Sequence, residues 1–164
     1  MQQTASGVTV LGIDPGSQCL GWGVVREVSG VLRLVDCGTV RPKSVVFEQR
    51  LGEIFTALAD VIRKHAPDEA AVENVFVQKN VASALKLGQA RGAAIGACTE
   101  AEFPVVGYEA TLVKKTLVGF GKAEKSQVRC MVGGIIGVRA TWAVEAGDAP
   151  GCAVFHRNMR RMPR

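Results

Sequence analysis

The first forty residues carry their hydrophobic positions in short continuous runs, without helical spacing. The run GVTVLGID ends at Asp14-Pro15-Gly16-Ser17, which predicts a buried strand followed by a turn. The next two runs, LGWGVVREV and VLRLVDCGTV, are separated by Ser29-Gly30, a pair typical of a hairpin turn. The chain is therefore predicted to open with three antiparallel strands.

The hydrophobic period becomes helical at about Phe47. From there to His65 the apolar residues recur every three or four positions, and Ala66-Pro67 ends the segment. A short strand at AAVEN and a helix over about 80–101 come next. VVGY then predicts a strand, TLVKKTLVG and the segment 123–136 predict two helices, and a last helix is expected in the tail. This order indicates an α/β fold, with a mixed five-stranded sheet flanked by helices.

Composition restricts the class of protein without identifying it. The chain has 164 residues, a single-domain length, and 48% of them are apolar, which excludes a disordered chain. The stretch MVGGIIGV is too short to span a bilayer, and residues 1–7 lack the features of a secretory signal. Five scattered cysteines without metal-binding spacing indicate reduced thiols. We expect a cytoplasmic protein that does not associate with membranes, and a disordered extension at residues 1–7.

The basic residues fall in three blocks along the chain. Residues 1–73 hold seven basic and nine acidic side chains, whereas 74–99 hold three bases and no acid. Residues 114–129 hold five bases against one acid, and the last eight residues add four arginines. Such blocks suggest a surface for a polyanion, although chance clustering on a solvated surface gives the same counts.

Four carboxylates stand out by their positions in the chain. Asp14 and Glu73 each end an apolar strand, where a charge is costly unless it is paired or binds metal. Glu145 and Asp148 are three residues apart, so on a helix they would lie on the same side. Together these acids could form a site for a hard cation such as Mg²⁺ or Mn²⁺. The alternative is that Asp14 caps a turn, Glu73 lies at an edge, and the other two are solvated.

Five segments, in this order and at these separations, resemble the RuvC family: LGIDPGS, LGWGVV, AVENVFVQKN, SALKLGQARGAA and VGFGKAEKSQV. Members of this family are bacterial Holliday-junction (crossover-junction) endodeoxyribonucleases with a ribonuclease H-like fold. The resemblance runs from about Val8 to Met131 and weakens beyond it. We therefore expect a nuclease domain over residues 8–156, followed by a basic tail at 157–164.

The resemblance implies a homodimer that makes paired, symmetric nicks in a four-way DNA junction. It also implies two divalent cations per subunit, Mg²⁺ with Mn²⁺ able to substitute, held by Asp14, Glu73, Glu145 and Asp148. The family usually has Asp where this chain has Glu145, and the longer side chain leads us to expect a preference for Mn²⁺. A further implied partner is the branch-migration motor of the same pathway.

The resemblance also implies the residues that contact DNA. Lys114 and Lys125 match lysines near the family's active site, and we assign Lys125 to a phosphate as a catalytic electrostatic stabiliser. Phe76 matches an aromatic residue near the junction crossover, with core packing as its alternative. The predicted DNA-binding set is Phe76, Lys79, Lys114, Lys115, Lys122 and Lys125.

A row of small residues recurs at four-residue intervals in the helix over 80–101. Glycines there are costly for a helix and therefore suggest close approach by another backbone. The family dimerises through this region, but packing on the chain's own sheet would use small residues equally well. The row consists of Ala84, Gly88, Gly92 and Gly96.

Two other functions remain open from the sequence. GIDPGS resembles the phosphate loop of actin-like ATPases, which share the ribonuclease H-like core but need two such domains. A junction-binding protein with impaired nuclease activity is the other, because of Glu145 and Pro150. Since proline is tolerated only in the first turn of a helix, the last helix should begin late or bend.

Overall fold

The structure of the chain, a computed structural model, describes residues 7–76, 80–137, 146 and 148–161, with only the backbone of Arg161. The strands in these residues are β1 (Val8–Asp14), β2 (Leu20–Val28), β3 (Val31–Val40), β4 (Glu69–Glu73) and β5 (Val105–Tyr108). The helices are α1 (Phe47–His65), α2 (Val81–Glu100), α3 (Ala110–Val118), α4 (Lys125–Ile136) and α5 (Asp148–Arg161).

The strands form one mixed sheet in the order β3-β2-β1-β4-β5. Strands β1 to β3 pair antiparallel, whereas β1 with β4 and β4 with β5 pair parallel. The β2–β3 connection is tight because Ser29 and Gly30 both have positive φ angles, of 51° and 83°. The predicted mixed five-stranded sheet flanked by helices is confirmed.

Alternate residues of the strands enter two separate hydrophobic cores. Leu11 and Val24 face α1 and α2, in a core completed by alanines of α2. Val10 and Val25 face the opposite side, where α3, α4 and α5 cover the sheet. Helices therefore cover both faces of the sheet. The ends of the strands remain uncovered, and a functional site is expected there.

Helix α5 begins at Asp148, so Pro150 falls in its first turn, where a proline is tolerated. The prediction that this helix begins late is confirmed, and Pro150 gives no argument for impaired activity. Glu145 lies before α5 and outside the described residues. Trp142 also lies outside the described residues, and the sequence predicts no role for it.

Two arginines of the tail, Arg157 and Arg160, form ion pairs within the chain. Helix α5 continues through residue 156 to Arg161. Arg157 pairs with Glu27 near the end of β2, and Arg160 pairs with Glu69 at the start of β4, 2.8 Å away. Both partners lie at the end of the sheet opposite Asp14 and Glu73, so these two charges are used within the chain.

Trp22 and His156 are two aromatic side chains that differ in how deeply they are buried. Trp22 of β2 is only partly buried and contacts the His65 ring. His156 is buried, as a packing residue, between Tyr108 and Glu69. Among the described residues no helix is long and apolar enough to cross a membrane.

Candidate active site

Asp14 and Glu73 leave two adjacent parallel strands at the same end of the sheet. Ile13 of β1 lies opposite Val72 of β4, so the acids that follow them emerge side by side. Both strands are buried up to this point, which makes each acid a partly buried group at the rim of the core. Both line one cleft of about 690 Å³.

Asp148 reaches the same place because α5 lies directly on β1 and β2. A Cβ at Gly12 would be 1.9 Å from the Ala149 carbonyl oxygen, and one at Gly23 would be 2.5 Å from the Pro150 ring. Only glycine permits this contact, which places the first turn of α5 beside the end of β1. The sequence analysis missed the role of both glycines, although each interrupts a strand, which signals close backbone approach.

Two lysines face the acids from the helices that follow β5. Lys125 is the first residue of α4, whose start is closed by a capping box between Glu124 and Gln127. Its ammonium lies 3.2 Å from Asp148 Oδ2. Lys114 of α3 lines the cleft with Asp14 and Glu73. The strand-end acids are therefore faced by positive charge.

The pKa values of the two strand-end acids are raised. Burial, and then the charge of Asp148, raise the pKa of Asp14 to about 6, against the opposing effect of Lys125 and Lys114. Burial and the charges of Asp14 and Asp148 raise the pKa of Glu73 to about 7. These mutual effects show that the three carboxylates share one electrostatic environment.

The pKa of Lys125 is raised as well. Burial alone would lower it, but the carboxylates of Asp148, Asp14 and Glu73 outweigh that effect. Lys125 therefore stays positively charged at neutral pH.

The carboxylates fit a hard divalent cation by their chemistry. The donor set is all oxygen, and the buried Asp148 Oδ1 has no hydrogen-bond partner. A cation would also relieve the repulsion among acids whose pKa values are raised by one another's charge. Within the described ranges, no three His, Cys, Asp or Glu side chains already surround one metal position. Glu145, the fourth predicted ligand, is outside those ranges.

Of the remaining predicted residues, only Phe76 is shown to line the same cleft in the described part of the chain. Phe76 lines it with 68% of its surface exposed, which excludes core packing. Lys115 and Lys122 are exposed in and after α3. Lys79 lies outside the described residues. Asn80 and Ser83, at the start of α2, also line the cleft and were not predicted.

Two members of the row of small residues on α2, Gly88 and Gly92, do not pack on the chain's own sheet. Gly88 and Gly92 are exposed, and a Cβ at either would meet nothing within 4 Å. The residues of α2 that enter the core are instead Ala90, Ala94, Ala97 and Cys98. The sheet-packing alternative is therefore wrong for these two glycines.

Comparisons with known proteins agree with this arrangement. The family model described as "Crossover junction endodeoxyribonuclease RuvC" matches residues 10–156. The chain is 59% identical to the crossover junction endodeoxyribonuclease RuvC of Oleidesulfovibrio alaskensis over 98% of this chain and 97% of that one.

Solved structures of Thermus thermophilus RuvC have the same fold. One superposes with a TM-score of 0.83 at 35% identity, covering 94% of this chain and 96% of that one. Another, in complex with a Holliday junction substrate, gives 0.85 at 36% identity with the same coverage. The ribonuclease H-like fold is thus confirmed, and an actin-like ATPase is excluded. The chain therefore belongs to the RuvC family of crossover junction endodeoxyribonucleases, whose nucleases are divalent-metal dependent.

Proposed function

We propose that this protein resolves four-way DNA junctions by paired, symmetric nicks in DNA recombination and repair. The observation that carries the proposal is the meeting of Asp14, Glu73 and Asp148 beside Lys114 and Lys125. This combination suits a phosphodiester substrate. The carboxylates can hold cations at the reacting phosphate, and the lysines supply positive charge around it.

The four carboxylates Asp14, Glu73, Glu145 and Asp148 would hold two divalent cations per subunit. Mg²⁺ is the expected ion, with Mn²⁺ able to replace it. When bound, the cations would acidify the attacking water and stabilise charge on the leaving 3′ oxygen. The strand ends and the first turn of α5 hold three of these acids on rigid elements, so little ordering of the protein is needed.

Lys125 would bind the scissile or adjacent phosphate and stabilise the charge that develops there. Its ammonium is held beside Asp148, and the neighbouring carboxylates keep it protonated. Lys79, Lys114, Lys115 and Lys122 would bind the phosphates of the junction arms. The exposed Phe76 ring would stack on an unpaired base at the crossover, a contact that stabilises binding by about 1–3 kcal/mol.

Two copies of the chain would act together, since symmetric nicks need two sites related by a two-fold axis. The exposed Gly88 and Gly92 of α2 offer a surface that another backbone can approach closely. The branch-migration motor of the same pathway would be a further partner. We place the nuclease domain at residues 8–156, with an N-terminal extension, a basic C-terminal tail and a cytoplasmic location.

A nicking assay on a synthetic mobile four-way junction tests the function. We expect ligatable nicks at symmetric positions with Mg²⁺ or Mn²⁺ and none with chelator. Asp14→Asn should abolish nicking and leave junction binding in place, because binding depends on the basic residues. Nicks at unrelated positions, or equal losses of binding and nicking in Asp14→Asn, would contradict the proposal.

A further inference from the structure

A polar cluster formed by Arg91, Asn74 and Glu109 lies directly behind the end of β4. Arg91 of α2 donates from Nε to the main-chain carbonyl oxygen of Glu73, at 3.1 Å. It also donates from Nη2 to Asn74 Oδ1, at 2.7 Å. Asn74 Nδ2 in turn donates to Glu109 Oε1, at 3.0 Å. The cluster therefore joins α2, the end of β4 and the residue that precedes α3.

The backbone is built to admit this cluster. Asn74 also donates its main-chain N–H to the Tyr108 carbonyl oxygen, at 2.8 Å, which extends the parallel pairing past Glu73. A Cβ on Gly107 would lie 2.4 Å from Asn74 Oδ1 and 2.7 Å from Arg91 Nη2. Glycine at position 107 thus leaves the space in which the two side chains meet over β5.

The cluster lies next to residues that have proposed roles in metal and DNA binding. Its hydrogen bonds hold the carbonyl of Glu73 and the side chain of Asn74, two residues before the exposed Phe76. Nε and Nη2 of Arg91 thus donate to acceptors within the protein, and Glu109 contacts Asn74.

We propose that Arg91 and Asn74 are positioning residues, which fix the end of β4 so that Glu73 meets the cation and Phe76 meets the DNA. This inference rests on the proposed function and extends it to two residues that do not contact the reacting atoms. Arg91 is suited to the task because its planar fork can bind two acceptors at once, which a lysine ammonium does not reproduce.

Two substitutions disturb the cluster in different ways. Arg91→Lys keeps the charge but loses the double hydrogen bond. Gly107→Ala displaces the ends of the Asn74 and Arg91 side chains without deleting a polar group. Arg63→Lys is the matched control, because Arg63 is an exposed arginine of α1 paired only locally with Asp60.

We expect both variants to need about 10- to 100-fold more Mg²⁺ for half-maximal nicking. They should also show a smaller rise in Tm on adding Mn²⁺, which reports metal binding without catalysis. Junction affinity in chelator should match that of the starting protein, since no charge is lost. The double variant should be no worse than the more severe single one, because both act on one unit.

Unchanged metal dependence in both variants would overturn the proposal. So would a loss of junction affinity in chelator as large as the loss of nicking, which would assign Arg91 to DNA contact. If the starting protein nicks no junction with either cation, the proposed function fails. The Tm response to Mn²⁺ would still decide whether Arg91 positions Glu73.

Discussion

Asp14 and Glu73 are held in a partly buried site that raises their pKa values, to about 6 and about 7. Their ordinary values are 3.8 and 4.5, so the metal-free native state binds more protons than the unfolded chain between about pH 4 and pH 7. The contribution of these two acids to stability without metal is then greatest at low pH and falls as they ionise. A divalent cation would reverse this effect by binding the ionised carboxylates.

We therefore expect the Tm measured in chelator to fall as the pH rises from 5 to 8. Asp14→Asn should show a smaller fall, because its amide does not ionise, and Mn²⁺ should restore more stability at pH 8 than at pH 5. A Tm in chelator that rises over this range in the starting protein, or an equal fall in Asp14→Asn, would contradict the assignment.

Glu145 is the predicted metal ligand for which the resemblance to the family implied an Asp. The carboxylate of a Glu is one methylene further from the backbone than that of an Asp, so a Glu ligand at this position would be held less firmly. Mg²⁺ demands near-ideal octahedral geometry, so it should suffer more than Mn²⁺. We predict faster nicking with Mn²⁺ than with Mg²⁺, and a higher Mg²⁺-supported rate in Glu145→Asp. Equal rates with the two metals would show a site built around the glutamate.

At the scale of elements, the position of α5 depends on two glycines of the sheet. A methyl group at Gly12 would collide with the main chain at Ala149, which has no free end to rotate away. Gly12→Ala should therefore lower the free energy of unfolding by about 1–3 kcal/mol, the usual cost of overpacking. It should also reduce nicking, because Asp148 moves with α5.

Gly134→Ala is the matched control for that substitution. Gly134 is an exposed residue within α4, and a Cβ there meets nothing within 4 Å. The alanine should stabilise the helix by roughly 0.5–1 kcal/mol. Urea unfolding of both variants gives the comparison, and a Gly12→Ala protein as stable as the starting chain would refute this account of α5.

At the scale of the whole molecule, we predict a two-fold dimer formed through the exposed face of α2. Sedimentation at micromolar concentration should show the dimer, and Gly92→Leu should shift it toward monomer, because a large side chain blocks close approach. Gly52→Leu, on an open position of α1, is the control. A monomer in the starting protein would contradict the prediction.

The charge distribution of the molecule predicts a steep salt dependence of junction binding. Each lysine that neutralises a phosphate releases counterions, so Lys115→Ala and Lys122→Ala should each weaken binding and reduce the salt slope by about 1. Arg160→Ala should leave the slope unchanged, since Arg160 pairs with Glu69 at the other end of the sheet. A salt-independent affinity, or a slope that changes only with Arg160, would place the DNA elsewhere.

Much of the fold could be predicted because its signals are local. Alternating and continuous apolar runs predicted the strands, the spacing in α1 predicted that helix, and Ser29-Gly30 predicted the first hairpin. Asp14 and Glu73 stood out because an acid at the end of an apolar run conflicts with burial.

Only the tertiary structure decided how the distant parts meet. The spacing of Asp148 does not reveal that α5 lies on Gly12 and Gly23, and nothing near Arg91 in the chain points to the carbonyl of Glu73. The tertiary structure also places Arg157 and Arg160 away from the site, where they pair with Glu27 and Glu69. Hydrophobic periodicity reports which face of an element is buried, whereas such contacts depend on the shape of the surfaces that pack together. The sequence by itself therefore determined the elements and the strand-end acids, and packing determined the site that they form.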